Sequence, residues 1–106
     1  MVEGPFIAEI AALLGEPARA NIVAALMSGQ AMTATELALA GGVAPSTASG
    51  HLAKLVEGKL LAIAVQGRHR YYRLASQRVA ELLEALMAVA IDGPARYRPR
   101  APCWRL

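Results

Sequence analysis

The sequence predicts a mainly α-helical domain carrying one β-hairpin: four helices, two strands, then a fifth helix. Three observations support this. Ala, Leu and Val dominate an apolar fraction of 56% while aromatics are only 5%, and Ala and Leu favour helix. Apolar residues recur at three- and four-residue spacing along most of the chain. The exception is Leu61 to Leu74, where an Ile/Val-rich run, Gly67-Arg68 and a Tyr-containing run read as strand, turn and return strand.

A chain of 106 residues is expected to form one domain with a small but real core. We place that domain at residues 1–91, followed by a basic tail at 92–106. The apolar fraction is high for a small lone domain, which suggests a buried subunit interface. Charge is unevenly spread. Residues 1–60 hold three basic and five acidic side chains, net −2, and residues 61–106 hold eight and three, net +5. The excess sits in the hairpin and the tail, where it suits a polyanion or simply a solvated face. The one cysteine, Cys103, excludes an intrachain disulfide and fits a reducing compartment. No apolar run approaches the ~18 residues of a membrane span, and the N-terminus lacks a signal-peptide pattern. A cytoplasmic protein with no membrane partner is expected.

The first helix is read over Pro5 to Leu14, with Phe6, Ile7, Ile10, Leu13 and Leu14 as its apolar face. Gly15-Glu16-Pro17 turns the chain into a second, scaffold helix, Pro17 to Met27, closed by Gly29 as a left-handed cap. Arg19 on this helix points away from the apolar stripe and is a weak phosphate candidate. Thr33 and Glu36 form a T-x-x-E capping box, with Met32 and Leu37 spaced as a hydrophobic staple. They open a short third helix that Gly41-Gly42 stops near Leu39 or Ala40. Pro45 opens a fourth helix running to Glu57. Ala48, Leu52, Leu55 and Val56 should be buried. Ser46, Thr47, Ser49, Gly50, His51 and Lys54 should face out. In the hairpin, Tyr72 and Leu74 share one side and His69, Tyr71 and Arg73 the other. Ser76 caps the fifth helix, which runs to Ile91 with a broad stripe that includes Val79, Leu82, Leu83, Leu86 and Met87. Asp92-Gly93-Pro94 ends it.

A short helix, a glycine turn and a second helix with a small polar face form a helix-turn-helix, whose second helix has the width to enter a DNA major groove. The hairpin tip beside it, Gly67, Arg68, His69 and Arg70, is shaped to touch a phosphate backbone or an adjacent minor groove. Gly50 within the fourth helix costs about 1 kcal/mol against Ala, which a surface of close approach would justify.

With these elements in order, the chain resembles the ArsR/SmtB-type winged helix-turn-helix regulators. The cues are ALLGEPARANIVAAL (Ala12 to Leu26), APSTASGHLAKLVEGKLL (Ala44 to Leu61) and GRHRYYRLA (Gly67 to Ala75), and the resemblance spans about residues 6 to 91. It implies a homodimer joined by the first and last helices, here through Phe6, Ile7, Ile10, Leu82, Leu83, Leu86 and Met87. It also implies double-stranded DNA as partner. Ser46, Thr47, Ser49 and His51 match the recognition helix, and Gly67, Arg68, His69 and Arg70 the wing. Many members are repressors released by a metal, an oxidant or a small-molecule inducer.

The chain departs from the metal-sensing pattern. The third-helix stretch Thr35 to Ala40 is TELALA, without cysteine, and the last helix offers Glu81 and Glu84 but no histidine. No metal site and no cofactor are expected. No nucleophile, base and orienting acid converge in the sequence, so an enzyme is not expected. The alternative is a winged helix used only for protein–protein contact. It would call for an apolar or acidic recognition face, whereas this one is polar and neutral to basic.

Overall fold

The computed structural model describes residues 6–91. The expectations for Pro5, the basic tail and Cys103 lie outside the described residues. The elements are α1 (Ile7–Leu14), α2 (Pro17–Ala25), a 3-10 turn (Leu26–Ser28), β1 (Met32–Thr33), α3 (Ala34–Gly41), α4 (Pro45–Glu57), β2 (Leu61–Gln66), β3 (His69–Leu74) and α5 (Gln77–Ile91).

The helix ends follow the chemistry that predicts them. Thr33 and Glu36 close both halves of the capping box: the Glu36 N–H donates to Thr33 Oγ1 at 3.2 Å, and the Thr33 N–H donates to Glu36 Oε1 at 2.8 Å. Ser76 Oγ accepts the Val79 N–H at 3.3 Å at the start of α5. Between α3 and α4 the chain reverses at Gly42, whose φ of +68° an L side chain rarely adopts. Val43 N–H then reaches back to the Ala38 carbonyl at 3.1 Å.

Three details differ from expectation. The helix expected to reach Met27 gives way at Ala25 to the 3-10 turn, which tucks Leu26 into the core. Gly41, expected to stop α3, is its last residue. Finally, β1 turns the hairpin into a three-stranded antiparallel sheet of order β1-β3-β2, with Met32 opposite Tyr72 and Thr33 opposite Tyr71. Two residues are too few for periodicity to reveal a strand, and Thr33 already serves as a cap.

The core gathers one face from α2, the 3-10 turn, α3, α4, β2, β3 and α5. Ile22, Leu26, Leu37, Leu52 and Leu55 are fully buried, joined by Leu60, Leu61, Tyr72 and Leu83. Each such aliphatic side chain contributes about 1.5–3 kcal/mol by leaving water. This core fixes α4 against α2, α3 and β2, so the outer face of α4 and the hairpin are presented from a rigid base. By contrast α1 has no fully buried residue; Ile10, Leu13 and Leu14 only rest on the core edge.

Candidate nucleic-acid interface

The outer face of α4 follows from its pitch. Ala48, Leu52 and Leu55 are buried. Opposite them, at helical spacing, lie Ser46, Gly50 and Ala53, all exposed, with Ser49 and Thr47 exposed on the flanks. A Cβ placed on Gly50 would meet no atom within 4 Å. Nothing among the described residues therefore requires glycine there.

The wing sits beside this face. Gly67, at φ +60°, makes the turn between β2 and β3, and Gln66 pairs with His69 across it. Alternation then sorts the side chains. Arg70 and buried Tyr72 lie on the α4 side, where Arg70 lines a groove with Ser49, Ala53, Glu57 and Ile63. His69 and Tyr71 lie on the other face, their rings 6.2 Å apart and tilted by 52°. Arg68 projects at the exposed tip. Arg73 turns away to a separate cleft with Met27, Gln77 and Glu84. The structure thus brings Ser49 and Arg70 to one groove.

One of the expected outward residues lies elsewhere. His51, expected to face DNA, is turned toward α2, its side chain only 16% exposed. The Arg19 guanidinium holds it there, with Nη1 lying 3.1 Å from His51 Nδ1. Arginine has no acceptor, so Nδ1 must accept, which leaves the imidazole proton on Nε2. Nε2 lies 3.8 Å from Glu16 Oε1. Lys54 is exposed but borders a cleft with Glu9, Leu13 and Arg19 on the α1 side. Ala53, which periodicity had not singled out, occupies the outer line instead.

Arg19 is likewise committed within the molecule rather than free for phosphate. Its Nε–H donates to the Leu13 carbonyl at 2.7 Å and its Nη2–H to the Ala12 carbonyl at 3.3 Å. A cation on these last carbonyls suits the negative end of α1. Glu16 caps α2 by accepting the Arg19 N–H at 3.0 Å. That hydrogen bond, aided by the Ala18 N–H and the nearby Arg19 charge, holds the Glu16 carboxyl below the ordinary carboxylate value. Its contribution to stability is present above that ordinary value and is lost as pH falls through the lowered one. Residues 12 to 19 thereby tie the end of α1 to the middle of α4. This tie joins residues from separate helices, so sequence spacing gives no signal for it.

A second surface lies away from α4. Phe6 and Ile7 are 58% and 70% exposed, and Leu82, Leu86 and Met87 are 39–45% exposed. With Ile10, Ala11 and Leu14, Leu82 and Leu86 line an open apolar cleft of about 330 Å³ between α1 and α5. Leu83, expected in the same interface, is instead 5% exposed within the domain's own core. The pitch of α5 turns it inward, between Leu82 and Leu86 on the outer side. Among the described residues no group of three His, Cys, Asp or Glu side chains is arranged to hold a metal ion. No single helix among them is long and apolar enough to cross a membrane.

Comparison with known proteins agrees with this architecture. Residues 5–64 match the helix-turn-helix domain family model. The HTH-type transcriptional regulator YdfF of Bacillus subtilis (strain 168) is 46% identical over 86 residues, 81% of this chain. The chain spans only 38% of that relative's length. Among solved structures, the homodimeric winged helix-turn-helix DNA-binding domain of Mb0332 from Mycobacterium bovis, a possible ArsR-family transcriptional regulator, superposes with a TM-score of 0.75. It is 26% identical, with 90% of this chain and 87% of that one covered. The transcriptional repressor PagR of Bacillus anthracis superposes with a TM-score of 0.65 at 30% identity, covering 76% of this chain and 91% of that one. With four helices, a hairpin beside the second helix of the helix-turn-helix, and a closing α5, the chain belongs to the helix-turn-helix domain family, in a winged form similar to that of the possible ArsR-family regulator Mb0332.

Proposed function

We propose that the chain binds double-stranded DNA as a homodimeric, sequence-specific transcriptional regulator, acting as a repressor that a signal releases. The observation that carries this reading is the single surface shared by α4 and the wing. Ser49 and Ala53 line one groove with Arg70, and Ser46, Gly50 and the tip residue Arg68 are exposed. Small side chains admit close approach to base edges, and the arginines supply phosphate contacts. The exposed apolar faces of α1 and α5 support pairing of two copies, as in the homodimeric Mb0332 domain. Two copies would set two α4 helices on half-sites about one helical turn apart. The repressor role rests on the likeness to PagR.

The test is binding of a promoter duplex by fluorescence anisotropy between 50 and 200 mM salt. Replacing Arg68 and Arg70 with Ala removes up to four cations per dimer. The slope of log K against log salt should then flatten by roughly two to four, since each phosphate contact contributes about 0.9. An unchanged slope and affinity would remove the wing from the interface.

A further inference from the structure

We infer that α4 reads its half-site through the 5-methyl group of thymine, with Ala53 as the specificity-determining residue. This rests on the DNA-binding reading above and deepens it. The outermost line of α4 is Ser46, Gly50 and Ala53, all exposed. None has the forked donor or acceptor that recognises guanine or adenine by paired hydrogen bonds. Two of the longer polar side chains of this helix lie toward α1 and α2. His51 is bonded to Arg19, and Lys54 borders the α1 cleft. Glu57 lines the groove of Ser49 and Arg70 one turn beyond Ala53, in the last turn of α4 and farthest from its N-terminus.

The face does offer close approach and a methyl group. At Gly50 none of the described residues lies within 4 Å of where a Cβ would stand, so the helix backbone can sit deep in a major groove. One turn on, the exposed Ala53 methyl flanks the groove that Ser49 and Arg70 also line. An apolar contact of this kind distinguishes thymine from cytosine, because only thymine carries the C5 methyl. The hydroxyls of Ser46 and Ser49 accept or donate to any base and add little discrimination.

The test enriches a random-sequence duplex library on the full chain, then rebuilds the enriched site with uracil at each thymine in turn. Uracil removes only the methyl. Affinity should fall roughly fourfold at one thymine in each half-site and about 15-fold when both are replaced, the effect of exposing one buried methyl apiece. In Ala53→Gly the thymine and uracil duplexes should bind alike, whereas Arg70→Ala should weaken both equally. The uracil comparison is made on the unaltered protein, so a poorly folding variant cannot mask the result. Equal binding of thymine and uracil duplexes by the unaltered chain would overturn the inference while leaving DNA binding intact. So would sites fixed only by G·C pairs whose recognition is lost in Arg70→Ala. Failure to enrich any duplex would overturn the DNA-binding reading itself, and this inference with it.

Discussion

A glycine in an exposed helix interior costs about 1 kcal/mol against alanine, and Gly50 bears that cost with open space around it. Gly50→Ala should therefore raise stability by up to about 1 kcal/mol in a denaturant melt, while weakening duplex binding in a mobility-shift assay. A variant that gains stability and binds DNA as well as the parent would show that the α4 backbone does not approach its partner closely. Arg19 makes the opposite point. Its side chain reaches the Leu13 and Ala12 carbonyls and the His51 ring, so a residue free to contact phosphate by its type is committed by its position. The same geometry withdraws His51 from the outer face. Neither assignment was legible in the sequence, because each depends on how α1, α2 and α4 pack against one another.

At the scale of elements, α4 shows where local rules suffice and where they do not. Pro45 at its start, the period of Ala48, Leu52 and Leu55, and its end at Glu57 could all be read from the sequence. Both long strands also lie where alternation and the Gly67 turn put them. The exit from α4 was harder to read. Gly58 precedes the left-handed position, which falls on Lys59 at φ +65°. Lys59 N–H bonds the Val56 carbonyl and Leu60 N–H the Leu55 carbonyl, both at 3.0 Å, a Schellman pair with Leu60 and Leu55 in the core. Gly58 is small for another reason: a Cβ there would run into the Leu13 side chain of α1. Lys59→Gly should relieve the strained position and raise stability by up to about 1 kcal/mol in the same melt, the relief exceeding the entropy that glycine adds to the unfolded chain. A loss of stability would mean that Lys59 makes a compensating interaction. The two-residue β1 was missed because a strand that short has no period of its own.

For the whole molecule, the division of α5 decides assembly. Its broad stripe was legible in the sequence, but which residues enter the domain's core and which stay exposed was not, because that depends on how α5 packs on β3 and the 3-10 turn. Val79 and Leu83 turn inward, and Leu82, Leu86 and Met87 continue the exposed face of α1. Leu86→Asp should leave a folded monomer by circular dichroism and sedimentation. Leu83→Asp should instead lose the fold, since it buries an unpaired charge in the core. A Leu86→Asp protein that sediments as a native-like dimer would remove the α1/α5 face from the interface.

If that pairing holds, each dimer presents two copies of the α4 and wing surface to one side of a duplex. Hydroxyl-radical footprinting of the purified chain on the DNA upstream of its own gene tests this most directly. Two protected patches are expected, with centres about 10 base pairs apart and related by an inverted repeat. Uniform cleavage at every protein concentration, or one patch without a symmetric mate, would contradict this arrangement.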